Sequence, residues 1–321
     1  MFAQTAGTVD PNREIGTSRS FPLSVTVVAS TNAADATNTR RRREHIQMDP
    51  DLFRQLKAAG LINLNNHLML TMGGYSVPLT VQILAPQSTI TQACIGVEAL
   101  ARFPGVSLPA SGTLSAYAPS TPVDDAAAQA AGQYYEFLTD NGSNTTMLVI
   151  VPHAGNIELN TETLATAAKV ALDAAGKATS IWGGRGYGTG AQDSYDHWHI
   201  STVDTWISQH PVLDTIDARG WTYCLSFHGQ SASNRIDIGC KTAQDAFVDA
   251  LVSALQGDAA LSTQTIARTS DTSEIAGADS HNLGNRLSSH YVQFEIGPEA
   301  RADSSMRDAI IAKIATAWGA L

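Results

Sequence analysis

Three stretches of this 321-residue chain place groups able to hold a metal or move a proton at the ends of apolar runs. The run 148–152 leads into His153, with Gly155 and Glu158 close behind it. The run 224–227 leads into His228 and Gly229, and the run 291–294 ends on Glu295. A polar group following an apolar strand is either buried with a partner or part of a site. Two imidazoles and a carboxylate from separate loops fit a catalytic zinc centre, which takes three protein ligands and keeps a fourth position for water. His153, Glu158 and His228 would then be the ligands and Zn2+ the cofactor. Glu295 would be the base that takes a proton from water and returns it to the leaving nitrogen. Glycines beside the histidines let the backbone turn so that both rings converge. Spacing alone leaves a second reading equally open. The chain has nine histidines, and each of these can be a loop histidine satisfied by its neighbours.

A site of this kind needs strands that end together, because in open α/β sheets sites form beyond the carboxyl ends of the strands. Residues 126–321 supply the pattern. Short apolar runs at 147–152, 178–183, 221–229, 235–240 and 290–297 read as strands. Helical spacing runs over 125–138, 161–175, 203–210, 241–255 and 304–321. The alternation predicts an α/β domain with a mixed, mostly parallel sheet flanked by helices.

Upstream, 21–30 and 66–85 read as strands, with a loop over 33–45 between them. A short helix is expected over 49–60, with Asp49 as N-cap, Pro50 at the first position and Gly60 as the stop. A weaker copy follows, with a strand into Ile95, a helical stretch at 96–106 and a strand at 113–118. Two strand–helix–strand units predict a small β-barrel, similar to the double-psi barrels. Residues 1–20 read as a polar arm, and the Pro/Ser/Thr/Asp-rich stretch 118–125 reads as a linker. The expected division is therefore an arm at 1–20, a β-rich domain at 21–117, a linker at 118–125 and a hydrolase domain at 126–321. Arg40 to Arg43 form the one basic cluster, either a solvated loop or a polyanion contact.

The bulk figures narrow the partners. Hydrophobic residues make up 43% and charged residues 16%, as in an ordinary globular protein. A net charge of -10 gives no general electrostatic reason to bind nucleic acid, and an acidic substrate would need a local basic pocket. No apolar run approaches the roughly 20 residues that span a bilayer. No secretory signal is expected in the polar start, so a cytosolic protein, or one released by lysis, is the expectation. Cys94, Cys224 and Cys240 lack CxxC spacing, which argues against a disulfide framework and a thiolate zinc site.

With these residues in hand, the chain resembles the phage-associated poly-γ-glutamate hydrolases, a branch of the zinc carboxypeptidase-like fold. Their metal motif His-x-Gly-x-Ile-Glu stands at 153–158, and their strand ending in His-Gly stands at 225–229. Three further elements match in order. They are His199-Ile200-Ser201-Thr202, Asn282 to Arg286, and Gln293-Phe294-Glu295 with Arg301 downstream. The resemblance implies that His153, Glu158 and His228 hold zinc and that Glu295 is general base and acid. It departs at Ala154, where a second glycine is common, and at Asn160, where a glycine is usual. An arginine would stabilise the oxyanion and others would clamp substrate carboxylates. Arg185, Arg235, Arg286 and Arg301 are the candidates, although each can equally be a surface or structural ion pair. His199 would position substrate or sit behind the ligands, with a structural loop histidine as the other reading. The implied substrate is poly-γ-glutamate. Alternatives are another acidic amide such as polyaspartate or a peptide, and a non-catalytic binding protein that keeps the fold.

Overall fold

The structure is a computed structural model, and it describes residues 22–30, 43–62, 66–83, 90–117, 124–140, 142–189, 192–241, 245–269 and 277–321. The chain forms two compact units, one of residues 1–118 with 188–209 and one of residues 119–187 with 210–321.

The first unit is a closed barrel of six strands in the order β1-β5-β2-β4-β3-β6. These are β1 (Leu23–Ala29), β2 (His45–Met48), β3 (His67–Met72), β4 (Tyr75–Ile83), β5 (Gln92–Ile95) and β6 (Ala110–Ala116). β1 shows the period of two that builds a barrel wall: Leu23, Val25 and Val27 are buried, and Ser24 and Thr26 are exposed. The β1/β5 and β2/β4 pairs are parallel and the remaining pairs antiparallel. Helix Pro50–Ala58 forms as expected. The Asp49 side chain accepts from the Asp51 amide at 2.8 Å, and the helix buries Leu52, Phe53 and Leu56.

Two expectations here are corrected. Within the expected strand 66–85, the described residues 66–83 form a hairpin, β3 and β4 folding back at Gly73–Gly74, and not one strand. Of the expected loop over 33–45, residues 33–42 lie outside the described residues, and His45 opens β2, whose four residues are all buried and so show no alternation to read. The arm at 1–20, Arg40 to Arg42 and residues 118–123 of the linker lie outside the described residues. Arg43 is described, and it pairs with Asp196.

The segment 188–209 was placed by its sequence within the hydrolase domain, and in the structure it belongs to the barrel unit. Fully buried Arg102 ties it there, donating to the carbonyls of Asp196 at 2.7 Å and His199 at 3.2 Å.

The second unit is a seven-stranded mixed sheet in the order β12-β11-β13-β10-β8-β9-β7. Its strands are β7 (Tyr134–Thr139), β8 (Met147–Gly155), β9 (Thr179–Gly186), β10 (Trp221–Gly229), β11 (Arg235–Cys240), β12 (Thr265–Arg268) and β13 (Ser288–Ile296). The four central strands, β13, β10, β8 and β9, are mutually parallel; β7 is antiparallel to β9, and β11 is antiparallel to β13 and parallel to β12. On one face Val149, Val151, Leu225, Phe227, Val292 and Phe294 pack against helices Thr161–Ala174, Asp245–Gln256 and Ser304–Gly319. That face is the core. The opposite face of β10 and β13 carries Ser226, His228, Tyr291, Gln293 and Glu295, all buried.

Two more expectations are corrected in this unit. Helix 125–138 stops at Ala131, and the alternating Tyr134 to Leu138 become the edge strand β7. Residues 203–210 make only a 3-10 turn, Ile207–Gln209, and the helix begins later at Pro211, a residue suited to a first helical position. Strand β12 was not anticipated. The three cysteines are buried and form no disulfide. Among the described residues, no helix is long and apolar enough to cross a membrane.

Candidate metal centre

β8 and β10 run parallel and deliver His153 and His228 to the same end of the sheet. Past Val151 the β8/β9 register slips, and this bulge re-aims the chain at His153. Gly155 then takes a φ of +66°, and a Cβ there would lie 3.1 Å from the Gly186 backbone, so the motif's glycine is a steric requirement. The chain turns back at once. The Glu158 amide donates to the His153 carbonyl at 3.0 Å, and the Thr161 hydroxyl donates to the Glu158 carbonyl at 2.7 Å. Five residues after His153, the carboxylate of Glu158 faces the imidazole.

The ligand atoms converge. Nδ1 of His153 and Nδ1 of His228 stand 3.2 Å apart, with their rings at 73°. Glu158 Oε1 is 3.2 Å from His153 Nδ1, and its Oε2 is 3.9 Å from His228 Nδ1. Donors bound at roughly 2.0–2.1 Å on tetrahedral corners stand about 3.3 Å apart, so these separations fit a single small cation. Two imidazoles and one carboxylate are also the donor chemistry zinc takes. Glu158 Oε2 additionally accepts from the Gly229 amide at 2.7 Å, so the His-Gly strand end orients the carboxylate as well as carrying a ligand. All three side chains are buried.

Glu295 lies directly across from His228 in the β10/β13 register and is 7% exposed. Gln293 Nε2 donates to its Oε1 at 2.8 Å. The Gln230 side chain ties down the strand itself, donating to the Glu295 carbonyl at 2.8 Å and to Asp237 at 3.0 Å.

The expected substrate residues are placed differently from one another. Arg301 lies against the strand end: a Cβ on Gly229 would sit 2.7 Å from its Cζ. It donates to the carbonyls of Ile296, at 2.9 Å, and Leu159. Burial lowers its pKa, against the charges of Glu158 and Glu295, which favour the cation. Arg185 is bound to Glu162 and Asp125 and stacks on the Phe137 ring at 4.3 Å. Arg235 makes a two-pronged pair with Asp237 at 2.6 and 2.8 Å. Arg286 lies in the last turn of helix Leu283–Leu287. His199 belongs to the barrel unit, where its Nδ1 meets Glu44 Oε1 at 2.6 Å and its ring stacks on Tyr195. Sequence reasoning missed Ser226 and Tyr291 and gave Asn282, named only as part of a family element, no role; all three join Gln293 behind Glu295. For Tyr291 the signal was present as residues with polar groups at every second position, 291, 293 and 295, alternating with apolar Val292, Phe294 and Ile296.

Comparison with known proteins bears on this centre. The family described as poly-gamma-glutamate hydrolase matches residues 125–310, more than half of the chain. No curated protein matches the sequence. Among solved structures, a bacteriophage poly-gamma-glutamate hydrolase is similar at 19% identity and a TM-score of 0.45, over 60% of this chain and 93% of that one. A metallo-carboxypeptidase from Burkholderia cenocepacia is similar at 10% identity and a TM-score of 0.37, over 79% of each chain. The designed protein mkDPBB_sym1 is similar at 15% identity and a TM-score of 0.23, over 29% of this chain and 96% of its own. Every residue of the converging cluster falls inside the matched span, and the chain belongs to the poly-gamma-glutamate hydrolase family.

Proposed function

We propose that this protein hydrolyses the amide bonds of poly-γ-glutamate at a zinc ion held by His153, Glu158 and His228, with Glu295 as general base and acid. The observation that supports it most is the convergence of two Nδ1 atoms and one carboxylate within 3.2–3.9 Å, beside a second buried carboxylate on the next strand. A zinc ion held there supplies Lewis acidity, polarising the scissile carbonyl and bringing the pKa of water toward ~7.

The chain's own residues do the remainder. Glu295 takes the proton from the attacking water as the oxygen–carbon bond forms. It returns that proton to the nitrogen as the carbon–nitrogen bond breaks, so base and acid are one group used twice. Arg301, whose charge interacts with Glu158 and Glu295, is the cation we assign to the charge developing on the substrate oxygen. Arg185 and Arg235 already give their donors to protein carboxylates, and Arg286 and Arg301 are preferred for the substrate's carboxylates because the family resemblance covers them.

The test is incubation with poly-γ-glutamate beside poly-α-glutamate and polyaspartate, sizing the products with and without a chelator. Chain shortening of the γ-linked polymer alone, abolished by the chelator and restored by zinc, is the expected result. Equal cleavage of all three polymers would make the protein a general acidic-amide hydrolase, and activity indifferent to chelation would remove the metal from the account.

A further inference from the structure

The face of β13 that carries Glu295 holds a hydrogen-bonded series whose polarity can be read from a backbone amide. The Gly284 N–H donates to Asn282 Oδ1 at 3.2 Å, so the other end of that amide, Nδ2, is the atom facing Gln293. Nδ2 can only donate, so the Gln293 atom 3.0 Å away is the carbonyl Oε1. Tyr291 reaches the same oxygen at 2.8 Å, and its own hydroxyl meets Ser226 Oγ at 2.6 Å. Burial pushes the Tyr291 phenol well above its ordinary pKa, which keeps it a donor. Two donors on Oε1 leave Gln293 a single orientation, with Nε2 directed at Glu295 Oε1 at 2.8 Å.

The local packing is built around this arrangement. Tyr291, Gln293 and Glu295 share a face because a strand repeats every two residues, and Ser226 stands opposite Gln293 in the β10 register. Helix Leu283–Leu287 lies flat on the Tyr291 ring, where a Cβ on Gly284 would sit 2.1 Å from the ring carbons. That close approach lets Asn282, the N-cap of the helix, reach across to Gln293. The two family elements, Asn282 to Arg286 and Gln293 to Glu295, are therefore one device. Asn282 and Tyr291 fix Gln293, and Gln293 fixes Glu295.

We propose that Gln293 is the positioning residue of the catalytic base, fixing the Glu295 carboxylate through its Oε1. The inference rests on the assignment of Glu295 as base given above. A carboxylate on three rotatable bonds reaches many positions, and a misplacement of about 1 Å at a reacting group costs on the order of 10²-fold in rate. Gln293 is buried and its amide is engaged by Asn282, Tyr291 and Glu295, so its loss is expected in kcat and not in KM or in metal content.

The experiment compares wild type, Gln293→Met, Gln293→Glu and Glu295→Gln as full-length protein on poly-γ-glutamate. Zinc content is measured for each, and a crystal structure of Gln293→Met is determined. Gln293→Met is expected to lower kcat about 30-fold, with KM within twofold, zinc retained and the Glu295 side chain spread over more than one rotamer. Gln293→Glu keeps acceptors for Asn282 and Tyr291 but replaces the donor to Glu295 by a second carboxyl, so kcat should fall at least as far, with a changed pH profile because the two carboxyls share a proton. Either variant within threefold of wild-type kcat, or a loss carried by KM or by zinc, overturns the proposal. If Glu295→Gln is itself fully active, the base assignment fails first and the proposal falls with it. If Glu295→Gln is inactive while both Gln293 variants are active, only the positioning role is lost.

Discussion

Each unit of this protein buries an imidazole against a carboxylate, and the two pairs are finished in different ways. In the barrel unit Glu44 accepts from His199 Nδ1 and from the Ser201 amide, both at 2.6 Å, and the Arg102 guanidinium stands close by. Burial works to raise the Glu44 pKa, but His199, Arg102 and the Ser201 amide outweigh it and hold the carboxyl down at about 2. The protein itself supplies the positive charge. In the second unit His153 and Glu158 stand 3.2 Å apart, and His228 turns the same ring nitrogen toward the same point. There the donors converge on one another, which costs free energy unless a cation sits among them. A buried His–carboxylate pair is thus no metal signature in itself. The third converging donor is what marks one.

The comparison breaks most visibly if a ligand is removed. His228→Ala should leave the protein folded, strip its zinc and take hydrolysis to background, a loss of several orders of magnitude. Elemental analysis beside a polymer-sizing assay checks it. A His228→Ala protein that keeps stoichiometric zinc and activity would put the two pairs on the same footing. Glu295→Gln is next, with zinc retained and kcat lower by roughly 10²–10⁴, the usual worth of general acid–base catalysis. Rates near wild type would remove Glu295 from the chemistry.

Glu44 tests the other half. Its folded pKa of about 2 lies below the ordinary value of 4.5, so the unfolded chain binds a proton more readily. The stabilisation is fully present above about pH 4.5 and is lost as pH falls toward 2. Urea unfolding followed between pH 7 and 3 should show that loss in wild type and a flatter acid limb in Glu44→Gln. The variant should be less stable at neutral pH by about 3 kcal/mol, as when one partner of a buried pair is removed. An unchanged acid limb would mean that the Glu44–His199 pair contributes no pH-dependent stability.

Much of this was legible before the structure, for identifiable reasons. β10 and β11 could be read to the residue because each is a short apolar run bounded by turn residues. The ligand motif was legible because Gly155 and Glu158 follow His153 at the spacing that one tight turn requires. What failed was whatever depended on distant partners. β2 is four buried residues whose strand character comes from β4 and β5 on either side. The placement of 188–209 with the barrel depends on Arg102, some ninety residues away, and no local pattern announces it. Ion pairing had the same effect on the arginines. Nothing near Arg185 in the sequence shows that Glu162 and Asp125 will meet it.

The smallest predicted effect concerns Asn160, where the resemblance leads one to expect glycine. Asn160 has a φ of 69° just before helix Thr161–Ala174, and its side chain makes no capping bond. Its conformation, and not a cap, accounts for the residue there: the left-handed region is open to glycine at no steric cost and to asparagine at little. The turn matters to the centre because its neighbours hold it, Thr161 bonding the Glu158 carbonyl and Arg301 bonding the Leu159 carbonyl. Asn160→Gly should therefore change stability by only a few tenths of a kcal/mol, whereas Asn160→Ala should cost about 1 kcal/mol through the strained backbone. Activity should fall no more than a few-fold in either variant, because the ligands themselves are untouched. Parallel urea denaturation of the two variants decides it. Equal stabilities would show that the turn can relax, and that Glu158 is held by Gly229 and Thr161 without help from the backbone at Asn160.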